Sequence, residues 1–294
     1  MIAILGAGSM GRLWAATLPA GQVAFVPRPA QSPAPEHYDF SPVSGPSRNI
    51  TIPWLSARQT PTTLLVTTKA GDTLAALSCV LPALPESVPM VLFQNGLGSQ
   101  QQVADTWPNR PILAAATTEG ANRPRPDQLI HAGAGTTRLG ALTDTGKAHR
   151  DTVVEALKSS GLTVIPADDI MHRLWQKLIV NAGINPFTAI LDCLNGELLQ
   201  QPFFQQWIEP LCNELSQLLE VAGQPAQSPR QLRERIEAVA RATAGNTSSM
   251  RADVLAGRAT EIAYINGYLV RLAERVDMDA PVNRMLTHRV KDLI

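Results

Sequence analysis

Ile2-Ala3-Ile4-Leu5-Gly6-Ala7-Gly8-Ser9-Met10-Gly11 stands at the start of the chain, and its reading decides the fold. Four unbroken apolar residues suit a strand buried on both faces of a parallel sheet. They run straight into Gly-x-Gly-x-x-Gly, and a helix-length stretch over 9–18 follows. In that strand–turn–helix context each glycine has its own task. Gly6 allows the tight turn, Gly8 lets the backbone approach a pyrophosphate, and Gly11 lets the helix pack on the strand. Backbone N–H groups at the helix start then face the phosphate charge. Gly6, Ala7, Gly8, Ser9, Met10 and Gly11 are therefore read as a dinucleotide cradle; the rival is a plain Gly-rich turn.

Outward from this stretch the same grammar repeats. Val23-Ala24-Phe25-Val26, Thr63-Leu64-Leu65-Val66-Thr67, Met90-Val91-Leu92-Phe93 and Ile112-Leu113-Ala114-Ala115-Ala116 are further short apolar runs. Helix-length stretches such as 72–81 separate them. Alternating strand and helix means βαβ units and a Rossmann-type doubly wound sheet. Residues 27–61 are rich in Pro and Ser and read as an irregular excursion, with one short strand at Ile50-Thr51-Ile52 that Pro53 would end. After Pro166 the strand-like runs stop. Leu174 and Leu178, then Leu211, Leu215, Leu218 and Leu219, then Ile262, Ile265, Leu269 and Leu272 recur at helical spacing. The expected architecture is α/β: a Rossmann-type domain at 1–167 followed by an all-α domain at 168–294.

The 294 residues suit two domains, and 45% hydrophobic content supplies a core. Lys plus Arg number 25 and Asp plus Glu 25, so no net field draws a polyanion, and nucleic acid is not expected as a partner. Cys79, Cys193 and Cys212 are widely spaced without a CxxC, which argues against a disulfide framework or a metal site. The longest apolar uncharged run, 178–191, is shorter than the ~20 residues of a membrane span and holds Asn181, Asn185 and Pro186. No basic segment precedes the first apolar run. A soluble cytoplasmic protein is expected.

An NAD site places Asp or Glu about 20 residues past the glycines, on the ribose 2′-OH. Here the second strand ends in Pro27-Arg28, and the first acid is Glu36. A guanidinium pairs well with a 2′-phosphate, which points to NADP; a solvated surface Arg is the rival. Lys69 and Asn95 follow two later strands, at the end of the sheet where α/β ligands bind. Lys69 could approach phosphate or ribose and Asn95 the nicotinamide side; an exposed Lys and an Asn-Gly turn are the alternatives.

In the helical half, Lys177, Asn181 and Asn185 are four apart and share a helix face. An amine and two amides on an otherwise apolar helix are costly unless partnered, and a polar substrate is such a partner. Pro186 should bend or end this helix near Ala182, Gly183 or Asn185. Asn246-Thr247-Ser248-Ser249 precedes another helical stretch and suits either a carboxylate ligand or ordinary capping. Asn195-Gly196-Glu197-Leu198 reads as a turn opening a helix.

Together these motifs resemble the ketopantoate reductase family over nearly the whole chain. The resemblance rests on the glycine loop, Lys69-Ala70, Asn95-Gly96-Leu97-Gly98, Trp175-Gln176-Lys177-Leu178-Ile179-Val180-Asn181 and Ile184-Asn185-Pro186. It continues in Asn195-Gly196-Glu197-Leu198, Ser248-Ser249-Met250 and Thr260-Glu261-Ile262-Ala263-Tyr264-Ile265-Asn266-Gly267. It implies NADPH-dependent reduction of 2-dehydropantoate to pantoate, a step toward pantothenate and coenzyme A. Lys177 resembles the general acid. Glu261 resembles the acid that holds substrate or cofactor near the nicotinamide, and Asn95, Asn181, Asn185, Asn195 and Ser249 resemble substrate contacts. Arg28, Lys69, Asn95 and Ala121 resemble NADP contacts. Glu119-Gly120 departs from the family pattern. The implied partner is a small keto acid, and the protein would be a monomer or homodimer. A related 2-keto or 3-hydroxy acid dehydrogenase and a catalytically silent NADP-binding sensor are the competing functions.

Overall fold

The computed structural model describes residues 1–28 and 34–294. They group into two compact units, Met1–Gln94 with Ser99–Arg173, and Asn95–Gly98 with Leu174–Ile294.

The first unit is α/β. In chain order it holds β1 (Ile2–Leu5), α1 (Ser9–Thr17), β2 (Val23–Phe25), β3 (Glu36–Ser41), β4 (Arg48–Ile52) and β5 (Thr63–Val66). Next come α2 (Ala70–Val80), β6 (Met90–Leu92), α3 (Ser99–Thr106), β7 (Ile112–Thr117), β8 (Gly120–Asn122) and β9 (Gln128–Gly133). β10 (Thr137–Ala141), α4 (Asp144–Lys158) and β11 (Val164–Pro166) complete it. A seven-stranded sheet runs β11-β10-β7-β6-β5-β1-β2. It is parallel except where β10 meets β7.

The unbroken apolar runs are strands covered on both faces. Ile2 and Ile4 pack in one core with Trp14, Phe25, Leu65 and Val91. Ala3 and Leu5 pack in the other with Leu64, Val66, Leu77 and Leu92. Alternate side chains of one strand thus serve opposite layers, which leaves no room for a polar face. The chain leaves β1 toward β2 on one side and later returns with β5 on the other. The carboxyl ends of β1 and β5 therefore form the crevice of a doubly wound sheet.

The stretch read as an irregular excursion holds two strands, β3 and β4, with irregular chain between and after them. β3 and β4 form an antiparallel pair inside a second sheet, ordered β4-β3-β9-β8. In β3, Tyr38 and Phe40 are buried while their neighbours are not, the period-two pattern of a half-buried strand. Flanking Pro and Ser obscured that alternation. The parallel partner β9, which sets Phe40 against Leu129, lies far along the chain, where local pattern cannot point.

The second unit is helical: α5 (Ile170–Leu191), whose first turn belongs to the first unit, α6 (Pro202–Val221), α7 (Pro229–Ala242), α8 (Ser249–Leu255), α9 (Asn266–Arg275) and α10 (Pro281–Lys291). Leu211, Leu215, Leu218 and Leu219 line the buried stripe of α6. α7 opens with a full capping box, Ser228 with Gln231, and Pro229 at its first position. Gly183 lets α7 come close to α5, since a Cβ there would lie 2.5 Å from Ile236. Pro186 does not end α5, which runs on to Leu191. Among the described residues no helix is long and apolar enough to cross a membrane.

Candidate functional site

The glycine loop is shaped by close approach. Gly6 has φ +109°, and a Cβ there would sit 2.9 Å from the Thr68 nitrogen. A Cβ on Gly11 would lie 2.0 Å from the Gly6 carbonyl oxygen. At Gly8, by contrast, a Cβ would meet nothing within 4 Å. Open space therefore lies beside the residue that caps α1. Gly8 offers no capping side chain, and the first turn carries no acid. The helix keeps its partial positive charge for an external anion. These features fit the pyrophosphate of a dinucleotide.

Neighbouring side chains engage the loop's carbonyls. Thr67 Oγ1 donates to the Gly6 carbonyl at 2.7 Å. Arg12 Nε donates to the Ala7 carbonyl at 3.1 Å, and Arg123 reaches the same oxygen at 3.3 Å. Arg12 is buried, pairs with Glu36 at 2.6 Å and lies over the Tyr38 ring. Sequence reasoning passed over Arg12; its one signal was an arginine directly behind Gly11 in an apolar helix. Burial pushes the Tyr38 phenol strongly upward, so it stays a neutral donor, to the Arg12 carbonyl at 2.8 Å.

Around this loop, Arg28 is exposed just past β2, next to residues 29–33, which lie outside those described. Lys69 caps α2 and is half-buried. Ala121 lies in β8, opposite His131, and packs against the core that holds Ile2 and Ile4. The departure at Glu119 has a local cause: its buried carboxylate sits 2.7 Å from His131 Nε2, so it ties the start of β8 to β9.

The second unit brings other residues together. Lys177 is half-buried on α5, and no described residue gives its ammonium a hydrogen bond or ion pair within bonding distance. Burial pushes Lys177 from its ordinary 10.5 down to about 8, with the Glu261 carboxylate pulling the other way. Glu261 Oε2 accepts from Asn95 Nδ2 at 2.9 Å. The loop carrying Asn95 docks on the short 3-10 turn Ile262–Tyr264: Leu97 N donates to the Tyr264 carbonyl at 2.8 Å. Gly96 presses on the same carbonyl at φ +80°, and a Cβ there would lie 2.1 Å from its oxygen. Glycine at 96 is thus required by more than the turn. The Glu261 carboxylate thus holds the Asn95 amide by a hydrogen bond and acts on the Lys177 ammonium through its charge, with Asn181 half-buried and Asn185 buried farther along α5.

Asn195 is buried at the 195–246 contact. Its backbone N–H donates to the Asn246 carbonyl at 3.1 Å and its Nδ2 to Thr243 Oγ1 at 2.9 Å. Its Oδ1 is buried without a partner. Ser249 is exposed at the start of α8. The neighbouring Ser248 caps that helix, accepting from Arg251 N at 3.1 Å, and meets Thr188 Oγ1 of α5 at 2.7 Å. Capping therefore accounts for Ser248. No group of three or more His, Cys, Asp or Glu among the described residues is placed to hold a metal ion.

Comparison with known proteins bears on both units. Residues 2–144 match the family model for ketopantoate reductase PanE/ApbA, and residues 169–293 match its C-terminal model. The 2-dehydropantoate 2-reductase of Vibrio cholerae is 34% identical, over 99% of this chain and 97% of its own. The solved structure of a probable 2-dehydropantoate 2-reductase from Bacillus subtilis is 28% identical, with TM-score 0.80 over 100% of this chain and 99% of its own. A ternary structure of D-mandelate dehydrogenase with NADH and anilino(oxo)acetate superposes with TM-score 0.87, covering 99% and 97% of the two chains; at 24% identity that likeness concerns the fold.

Proposed function

The chain belongs to the ketopantoate reductase family, and on that premise we propose that it reduces 2-dehydropantoate to pantoate with NADPH, as a cytoplasmic enzyme acting on a small keto acid. One observation supports the chemistry most directly: the half-buried Lys177 ammonium, unpaired among the described residues and lowered to about 8.

NADPH, when bound, supplies hydride to the ketone carbon. The glycine loop at 6–11, with its open space at Gly8 and uncapped α1, holds the pyrophosphate. Arg28 and Lys69 supply positive charge for the 2′-phosphate and its surroundings, and Ala121 lines the cofactor. Lys177 has two tasks. Its ammonium donates to the keto oxygen and stabilises the charge that develops there. Its proton then passes from Nζ to that oxygen to give the hydroxyl. A group at about 8 is mostly protonated at neutral pH, yet releases a proton more readily than an ordinary lysine. Glu261 keeps Lys177 charged and fixes the Asn95 amide. Asn181 and Asn185 offer amide donors and acceptors to the substrate's polar groups, joined by Asn195 and Ser249.

The test is the loss of NADPH absorbance on adding ketopantoate, run beside NADH and a panel of other 2-keto acids. Fast oxidation of NADPH by ketopantoate, slower with NADH and with the other acids, is the expected result. An enzyme that binds NADPH and leaves it unoxidised with ketopantoate would refute the reading.

A further inference from the structure

Pro186 lies inside α5, and its nitrogen carries no proton. In an unbroken α-helix the N–H of residue 186 would serve the carbonyl of residue 182. That carbonyl is instead met from another helix: Asn266 Nδ2, at the start of α9, donates to the Ala182 oxygen at 3.3 Å. The same Nδ2 donates to Asn283 Oδ1 at 3.0 Å. Asn283 Nδ2 donates to Glu214 Oε2 at 2.7 Å, and the Glu214 carboxylate also accepts from the backbone N–H groups of Val282 at 2.6 Å and Asn283 at 3.0 Å. Asn266 and Asn283 are fully buried.

The polarity of this relay is set from its far end. The Glu214 carboxylate only accepts, so the Asn283 amide must turn its oxygen toward Asn266. Asn266 then faces two acceptors and must present its NH2 group to both. Its own Oδ1 is left buried without a partner. An unsatisfied buried carbonyl oxygen is costly, so the arrangement is worth keeping only if the two donations repay it.

Ala182 directly follows Asn181, and Lys177 and Asn185 lie on the turns to either side of it. We infer that Asn266, relayed from Glu214 through Asn283, is a positioning residue: it replaces the hydrogen bond that Pro186 removes and so fixes the turn of α5 from which Asn181 and Asn185 project. The inference rests on the function proposed above. It acts through α5 and involves no contact with substrate.

Three variants test it: N266A, P186A and the double N266A/P186A, each measured for kcat, for KM of ketopantoate and of NADPH, and by thermal melting. N266A should lose between about tenfold and a hundredfold in kcat/KM for ketopantoate, the usual size for a displaced positioning group. Its KM for NADPH should stay at the wild-type value. P186A restores a backbone N–H that can reach the Ala182 carbonyl, so the double variant should recover most of the lost kcat/KM. A role in packing alone would lower the melting temperature of N266A without changing the ketopantoate parameters, and P186A would add to that damage. Wild-type kcat/KM in N266A, or a double variant no better than N266A, overturns the inference. Should N266A fail to fold, a folded and active double variant sustains it, and a double variant that also fails to fold overturns it. Wild-type protein inert toward ketopantoate is a separate result, and it removes the functional reading itself.

Discussion

The cradle at 6–11 and the α5 face at 177–185 handle charge with opposite materials. In the first, the proposed anion binding comes from backbone: three glycines, an uncapped helix start, and carbonyls already engaged by Thr67, Arg12 and Arg123. In the second, it comes from side chains on a largely buried helix, one of them an ammonium held against its preference for water. Backbone groups must be somewhere in any case, so the cradle adds little strain beyond the choice of glycine. Side chains such as Lys177 carry a desolvation cost that substrate can relieve. Function should therefore be separable from stability in different ways in the two regions.

The largest effect is expected at Lys177. Lys177→Ala should lower turnover by about two to four orders of magnitude, the range for a general acid, with little change in NADPH binding. In the wild type, turnover in the reductive direction should fall as pH rises through about 8, where the donating proton is lost. Lys177→Met sharpens the contrast. It should be as inactive as the Ala variant yet melt higher, because holding Lys177 at about 8 rather than 10.5 costs on the order of 3 kcal/mol at neutral pH. The sign follows from linkage: between those two values the unfolded chain binds more protons, so wild-type stability rises with pH across that window. A Met variant that melts lower than wild type would contradict the desolvation account.

The glycines give the matching test in the cradle, and they separate two kinds of glycine. Gly11→Ala puts a methyl 2.0 Å from the Gly6 carbonyl oxygen and should disrupt the first unit, seen as a lower melting temperature. Gly8→Ala puts its methyl into open space, so melting should fall only by the modest cost of alanine at an N-cap, well short of the Gly11→Ala loss. That space is the proposed pyrophosphate site, so KM for NADPH should rise between about tenfold and a hundredfold, as for a lost charge-assisted hydrogen bond. Equal NADPH affinity in Gly8→Ala and wild type would mean that the open space is not the phosphate site.

This contrast also explains what could be read from sequence. The cradle was legible because its residues are contiguous and its glycines are required by backbone geometry, so six adjacent letters hold most of it. The Lys177, Asn181 and Asn185 face was legible because helical spacing aligns residues four apart. Arg12, Gly96 against Tyr264, and the Asn266–Asn283–Glu214 relay were not. Each depends on a contact between segments distant in sequence, and buried Asn or Arg looks like surface Asn or Arg in a string of letters. β3 escaped for the same reason: its alternation is short, and the pairing that stabilises it comes from β9. At 248–249 the pattern allowed both ligand and cap, and only the Ser248 hydrogen bonds show which residue does the capping.

The smallest effect is expected at Arg28, and it probes a part of cofactor binding that uses a side chain rather than backbone. Arg28 is exposed, so water and salt screen its pairing with a 2′-phosphate, and its contribution should be below that of the buried groups. Arg28→Ala should raise KM for NADPH by about three- to fivefold, the upper part of the range for exposed pairs. KM for NADH, which lacks the phosphate, should not move. Raising ionic strength should then narrow the gap between wild type and variant, because screening removes what the variant already lacks. An equal rise in KM for both cofactors would show that Arg28 supports the loop itself and that the preference for NADPH is set by other residues.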